Sequence, residues 1–273
     1  MAEAAVNGTS LYYETVGHGR PCLVLHGGLG LDHSYLRGLD ALGRRLGLVY
    51  YDHRCHGRSG RPPVETLSVQ QLADDADALA AHLGDDPVLV LGHAQGGFVA
   101  QELALRHPER VAGLVLVGTS PGELGRDESL ADDPVPPVPV EVEVLQRVPP
   151  ATDEEWAATM AVLAPFWFRH PERFEPASLF AGTIFNAQAV AHSMWALASW
   201  SGVDRLGGVA APALVLVGRH DVFYPPAQVD RITRRAPAAT AVVFDESGHV
   251  PWLEEPDAFQ AAVEHWLDAT GLA

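Results

Sequence analysis

Three separated segments hold the residue types needed for acyl transfer, with one atom missing. Gly92-His93-Ala94-Gln95-Gly96-Gly97 follows the apolar run Pro87-Val88-Leu89-Val90-Leu91 and leads into a helical pattern from Gly97-Phe98-Val99-Ala100. A strand, a tight glycine-rich turn and a helix form the G-x-S-x-G setting that exposes a nucleophile on a strained turn. The third position should carry the attacking hydroxyl. Here it is Ala94, and a methyl group attacks nothing. Further on, Pro212-Ala213-Leu214-Val215-Leu216-Val217 reads as a strand that ends in Gly218-Arg219-His220-Asp221. A last strand, Val242-Val243-Phe244, precedes the loop Ser247-Gly248-His249-Val250-Pro251.

His249 is the candidate base, because a neutral imidazole takes a hydroxyl proton near neutral pH and returns it to a leaving group. Asp221 would fix the histidine tautomer and stabilise the imidazolium. Asp245 and Glu246 are alternative acids, but they lie too near His249 along the chain to be preferred. The helix that opens after Ala94 makes the Gln95 N–H a candidate donor to a developing oxyanion.

The order of these pieces, turn then acid then histidine, is that of the α/β-hydrolases and not of chymotrypsin or subtilisin. The chain resembles the α/β-hydrolase superfamily over almost its whole length, and within it the proline-iminopeptidase-like and esterase- or lactonase-like branch. Gly-His-x-Pro-x-x-Glu-x-Pro around His249 is similar to the family's histidine loop. His26-Gly27-Gly28-Leu29-Gly30 resembles its His-Gly-Gly loop, which implies a second oxyanion donor at Gly28, with Leu29 as the neighbouring possibility. Tyr51-Asp52-His53-Arg54-Cys55-His56-Gly57-Arg58-Ser59 resembles the family's Asp-x-Arg-Gly-x-Gly-x-Ser, except that Cys55 stands where glycine is usual. Asp52 and Arg54 are expected to pair and anchor this loop. Cys55 as a substitute nucleophile, and His53, Cys55 and His56 as a metal site, are weaker readings.

The resemblance implies a serine-type hydrolase in which residue 94 is a serine position changed to alanine, so that the chain binds acyl substrates and is nearly inactive. Proline iminopeptidases hold a substrate amine with carboxylates near a Trp-x-x-Trp-Glu segment. This chain has Pro165-Phe166-Trp167-Phe168-Arg169-His170 instead. The expected substrate is therefore a neutral, largely apolar ester or lactone, with amide or N-terminal peptide cleavage second. Two readings from other classes stay open: a non-catalytic ligand-binding protein, and a cofactor-free dioxygenase or lyase that uses His249 and Asp221 alone as a base.

Composition narrows the field. All 18 basic residues are arginine. A phosphate-binding P-loop lysine, a pyridoxal Schiff base and an amine-dependent aldolase are thereby excluded. No G-x-G-x-x-G follows a strand, so no dinucleotide cofactor is expected, and no metal. A net charge of −17 argues against nucleic acid and anionic membranes as partners. The expected partner is a small-molecule acyl substrate. Two cysteines make no disulfide framework. The first residues lack the basic start and apolar run of a signal peptide, so a cytoplasmic location is expected.

Chemistry of this kind needs a rigid scaffold. Short apolar runs at 11–14, 22–26, 48–51, 88–91, 114–117, 214–217 and 241–244 alternate with amphipathic stretches at 69–83 and 258–267. Runs of this kind are strands buried on both faces. The predicted fold is α/β, a mostly parallel sheet with helices on both faces, and residues 11–14 are placed at its antiparallel edge. Residues 1–119 and 207–273 form the core, and 120–206 form an inserted helical cap rich in aromatics. Within the cap, 132–139 are too proline-rich for a central strand and read as an extended leading segment. Leu29, Trp167, Asn186 and Trp195 are the predicted substrate contacts, and Gln188 and His192 are further polar candidates.

Overall fold

The computed structural model describes residues 2–84, 86–122 and 149–272. Eight strands form one sheet: β1 (Ala2–Val6), β2 (Thr9–Val16), β3 (Arg20–Leu25), β4 (Leu46–Tyr51), β5 (Val88–His93), β6 (Val111–Val117), β7 (Ala213–Gly218) and β8 (Ala239–Phe244), in the order β1-β2-β4-β3-β5-β6-β7-β8. β1 and β2 pair antiparallel, β2 and β4 likewise, and every later pairing is parallel. The sheet thus matches the expected class, with one correction. Residues 11–14 do not form the edge, because β1 pairs outside them. β1 and β2 are joined by Asn7-Gly8, both at positive φ (43° and 76°), and Asn-Gly is the pair that a two-residue hairpin favours.

Alternation along the central strands sends side chains to both faces. Val88 and Val90 join one apolar cluster, and Leu89 and Leu91 the other. On the first face lie helix α1 (Val69–Leu83), through Leu72 and Leu79, and helix α2 (Gln95–Arg106), through Phe98, Val99 and Leu103. α1 begins where Ser68 accepts from the Gln71 N–H at 3.1 Å, satisfying an otherwise orphaned helical donor. On the second face, the 3₁₀ helix His33–Arg44 contributes Leu36, Leu39 and Leu42. The C-terminal helix Pro256–Thr270 contributes Phe259, Val263 and Trp266 to the same cluster.

Between β6 and β7 the described chain leaves the sheet and forms helices α3 (Asp153–Leu163) and α4 (Ala187–Ser199), with short 3₁₀ turns between them. The proline-rich stretch 132–139 lies outside the described residues. No helix among the described residues is long and apolar enough to cross a membrane.

The loop after β4 corrects a further expectation. Arg54 does not pair with Asp52. Its guanidinium reaches α1 and makes a two-pronged bond to Asp75 at 2.5 and 2.6 Å, with both side chains buried. Asp52 instead accepts from His33 Nδ1 at 2.6 Å and from the Arg58 N–H at 2.8 Å. A fork-shaped guanidinium matches a carboxylate best when both oxygens are open to it, and Asp52 has already committed both of its own. Arg54→Met leaves Asp75 buried without its cation and should lower unfolding stability by about 3–5 kcal/mol in urea titration. The double change Arg54→Met, Asp75→Leu should recover most of that loss; an unchanged single variant would contradict the assignment.

Candidate active site

The turn at Ala94 has the strain its sequence implies. Ala94 sits at φ 51°, ψ −117°, a conformation L residues avoid. It is pinned there: its N–H donates to Val117 O at 3.0 Å, and its carbonyl accepts from Thr119 Oγ1 at 2.8 Å and the Gly97 N–H at 3.0 Å. The flanking glycines are needed because the turn is so closely packed. A side chain at Gly92 would collide with the Gly96 carbonyl, and one at Gly96 with the Leu25 carbonyl. Across the turn, a β-carbon on Gly27 would lie 2.8 Å from Ala94 Cβ. The His-Gly-Gly loop is therefore packed directly onto the turn.

Asp221, just after β7, and His249, after β8, meet in the interior. His249 Nδ1 donates to Asp221 Oδ2 at 2.8 Å. The other carboxylate oxygen accepts from the Phe223 and Tyr224 N–H groups at 2.8 and 2.9 Å, which fixes the acid in one orientation. Gly118 makes room for the pair, since a β-carbon there would lie 2.9 Å from His249 Nδ1. His249 Nε2 has no hydrogen-bond partner among the described residues, nor do the N–H groups of Gly28, Leu29 and Gln95. The alternative acids lie elsewhere: Asp245 pairs with Arg219 at the surface, and Glu246 with His170.

A buried chain of hydrogen bonds joins these loops. The Gly27 N–H donates to Tyr35 Oη at 2.7 Å, and Tyr35 Oη lies 2.9 Å from His93 Nδ1. His93 Nε2 lies 3.0 Å from the His249 carbonyl. For a neutral His93 one arrangement satisfies all three contacts: tyrosine donates to Nδ1, and Nε2 donates to the carbonyl. Burial, with the neighbouring His249 in support, holds His93 well below the usual histidine range. Cap and core are tied here as well. Trp156 Nε1 donates to Leu29 O at 2.6 Å, and the His249 N–H donates to Trp167 O at 2.7 Å. Glu254, the glutamate of the histidine loop, accepts from the N–H groups of Gly248, Arg169 and His170.

Ala94, Gln95, Gly28, Leu29 and His249 line one cavity of about 320 Å³. Its core wall holds Phe98, Phe223 and Tyr224; its cap wall holds Trp156, Met160, Leu163, Trp167 and Met194. Trp167 thus lies where the sequence reading put it. Two expected contacts do not. Trp195 is 64% exposed, because the helical turn that directs Met194 inward carries its neighbour out to solvent. Asn186 caps α4 by accepting from the Gln188 N–H at 3.2 Å and donates to Cys55 O at 2.6 Å. Its buried amide is used in structure and takes no part in the cavity wall; Gln188 and His192 are not in that wall either. The structure adds Tyr35, His93 and Glu254 to the site and brings Trp156, one of the cap aromatics, into the cavity wall. His93 and Glu254 lie inside the recognised motifs, whereas nothing in the local pattern marks Tyr35 or Trp156 for its contact.

The weaker readings of the Asp52 loop find no support. Cys55 is buried, and its thiol, pushed up by burial, donates to Pro62 O at 3.3 Å. No group of three metal-ligating side chains exists among the described residues. Instead His26, His53 and His56 pack ring against ring, with centroids 4.3–6.2 Å apart. Burial and mutual repulsion lower His53, and lower His56 to about 3. Burial also lowers His26, against the pull of Asp52. His33 is the exception: despite burial, its bonds to Asp52 and Glu14 raise it.

A sequence profile of the alpha/beta hydrolase fold family matches residues 21–256, and the chain belongs to that family. RutD of Rhizobium rhizogenes, named as a carbamate hydrolase, is 27% identical over 264 residues, spanning 95% of this chain and 98% of its own. A proline iminopeptidase of Heyndrickxia coagulans is 27% identical over 94% of this chain and 93% of its own. Among solved structures, the enol-lactonase of Burkholderia xenovorans LB400 superposes with a TM-score of 0.77 at 27% identity, covering 98% of this chain and all of that one (100%).

Two outcomes test this geometry. Ala94→Gly relieves the positive-φ strain at a smaller cost in unfolded-state entropy and should raise unfolding stability by about 1 kcal/mol; a loss would show that the turn is unstrained. The second concerns pH. His26, His53, His56 and His93 stay neutral in the fold below their ordinary value of 6.5, where the unfolded chain takes up protons. Their contribution is complete above that value and is lost as pH falls below it, by up to roughly 1.4 kcal/mol per pH unit for each. His33 opposes them, its contribution being full below 6.5 and lost as pH rises through its raised value. Urea titrations should show stability falling by at least about 2 kcal/mol between pH ~7 and ~5; a flat profile would contradict the neutral cluster.

Proposed function

We propose that the cavity receives a small, neutral, largely apolar ester or lactone with its carbonyl over residue 94. The site is that of a serine-type acyl hydrolase in which Ala94 takes the nucleophile's place. One observation carries this reading: His249, bonded to Asp221 behind it, and the residues of three unpartnered amide N–H groups line the same cavity as Ala94. A serine at this position would lose its proton to His249 as it attacks. The oxyanion would gather at the Gln95 N–H and at Gly28 or Leu29, each donor contributing about 3 kcal/mol in the transition state.

The cavity wall supports an ester or lactone over a peptide. Among the described residues that line it there is no carboxylate to hold a substrate ammonium group. Glu172 and Glu175, in the cap, are exposed to solvent. Tryptophan, methionine, leucine and phenylalanine side chains suit an apolar acyl or alkoxy group, which they remove from water at about 25 cal/mol per Å². The relatives are named as an enol-lactonase, a carbamate hydrolase and a proline iminopeptidase, so the cavity wall and not their names favours the ester or lactone.

Ala94 rules out an acyl-enzyme at this position, and removing such a nucleophile costs about six orders of magnitude in turnover while binding contributions survive. Ala94→Ser should therefore raise hydrolysis of chromogenic short-chain esters and lactones by at least roughly a thousandfold. A proline anilide should gain far less. An Ala94→Ser variant that folds and binds ester but gains no activity on any of the three would overturn the reading.

A further inference from the structure

Ala94 removes one nucleophile and leaves room for another. A bound water needs about one probe sphere of space and two to four polar partners. The cavity that Ala94 lines has the room, and the residues with unpartnered polar groups, His249 through Nε2 and Gly28, Leu29 and Gln95 through their N–H groups, line it too. His249 is held ready for this work without a serine. Asp221 fixes its tautomer from one side, and Trp167 O and the His93 ring hold its backbone on the other. The oxyanion donors do not involve the side chain of residue 94 at all, because they are backbone N–H groups.

We infer that the chain, with alanine at position 94, catalyses a direct hydrolysis of activated acyl compounds in which water attacks the substrate with no covalent intermediate. The inference rests on the acyl-binding site proposed above. In the first step, water oxygen forms a bond to the carbonyl carbon as one of its protons passes to His249 Nε2. The carbonyl π pair moves onto oxygen, facing the Gln95 N–H and that of Gly28 or Leu29. In the second step, the carbonyl re-forms and the bond to the leaving-group oxygen breaks. That oxygen takes the proton from His249 Nε2. The products are one carboxylic acid and one alcohol or phenol, which together account for the water consumed, and His249 returns to its neutral state. Asp221 stays ionised throughout and stabilises the transient imidazolium. Phenyl esters fit best because phenoxide leaves readily, and strained lactones, which open to a single hydroxy acid, because ring opening relieves strain; water is a weaker nucleophile than an alkoxide and needs such activated substrates.

The test uses the full chain and short-chain nitrophenyl esters. Residual catalysis of roughly 10³-fold or more over buffer is expected, the scale that survives loss of a covalent nucleophile. His249→Ala and His249→Gln should each remove at least about tenfold of it, as general-base catalysis requires. Circular dichroism and binding of a ketone analogue of the ester serve as controls that the variants remain folded with the cavity intact. Rapid acid quench and mass spectrometry should show no acylated protein in this chain and an acylated Ala94→Ser variant. Hydrolysis that survives both His249 changes, or an acyl adduct on the Ala94 protein, overturns the inference. A protein that shows no hydrolysis until Ala94→Ser is introduced also overturns it, while sustaining the serine-type reading. Hydrolysis that depends on His249 without any gain from Ala94→Ser upholds it and breaks that reading instead.

Discussion

The hydrogen-bond chain from Gly27 through Tyr35 and His93 to the His249 carbonyl holds three separate loops in one arrangement. Each loop follows a different strand, and strand ends alone would not place them to within a few tenths of an ångström. A buried chain of this kind is unforgiving, because a missing member leaves a donor or acceptor stranded away from water. The oxyanion loop, the strained turn and the base therefore move together or not at all. The cap joins the same unit through Trp156 on Leu29 O and Glu254 on the Arg169 and His170 amides. Access to the cavity and the shape of its floor are thus mechanically linked.

Electrostatics around the site follow from what is buried. His93 and the His26, His53 and His56 group are held neutral by burial and crowding, so they pack as polar aromatics and carry no charge into the interior. The one histidine pushed the other way, His33, is clasped between Asp52 and Glu14. No Asp, Glu or Arg is among the described residues that line the cavity, and behind His249 the Asp221 carboxylate accepts from one imidazole N–H and two backbone N–H groups. The cavity thus combines a largely apolar wall with one proton acceptor held in place by Asp221.

Much of this was legible in the sequence because it rests on local rules. The alternation of short apolar runs with amphipathic stretches points to the fold class, and the amphipathic stretch at 69–83 is helix α1. Ala94, Asp221 and His249 were recognisable because turn, acid and base each follow a strand in a set order. The first strand has only a short signal, Asn7-Gly8 as a two-residue hairpin turn, because three of its five residues are exposed and it lacks the continuous apolar run of the central strands. The Arg54–Asp75 pair was unreadable for a different reason, since which carboxylate an arginine reaches depends on how α1 packs beside the loop. The inward and outward faces of α4 were equally hidden. Met194 and Trp195 are both large and apolar, and only the packing of the helix against the cavity decides that the methionine turns in and the tryptophan out.

In the proposed complex an acyl carbonyl is held over a methyl group, between an aspartate-steered imidazole and backbone N–H donors. A crystal structure of the chain with a short-chain ketone analogue of an ester is the decisive measurement. The ketone oxygen is expected within hydrogen-bond distance of the Gln95 N–H and of Gly28 or Leu29, with the carbonyl carbon above Ala94 Cβ and on the Nε2 side of His249. A ligand that occupies the cavity with its carbonyl turned toward Met194 and the cap, or one that binds outside the cavity, would contradict it.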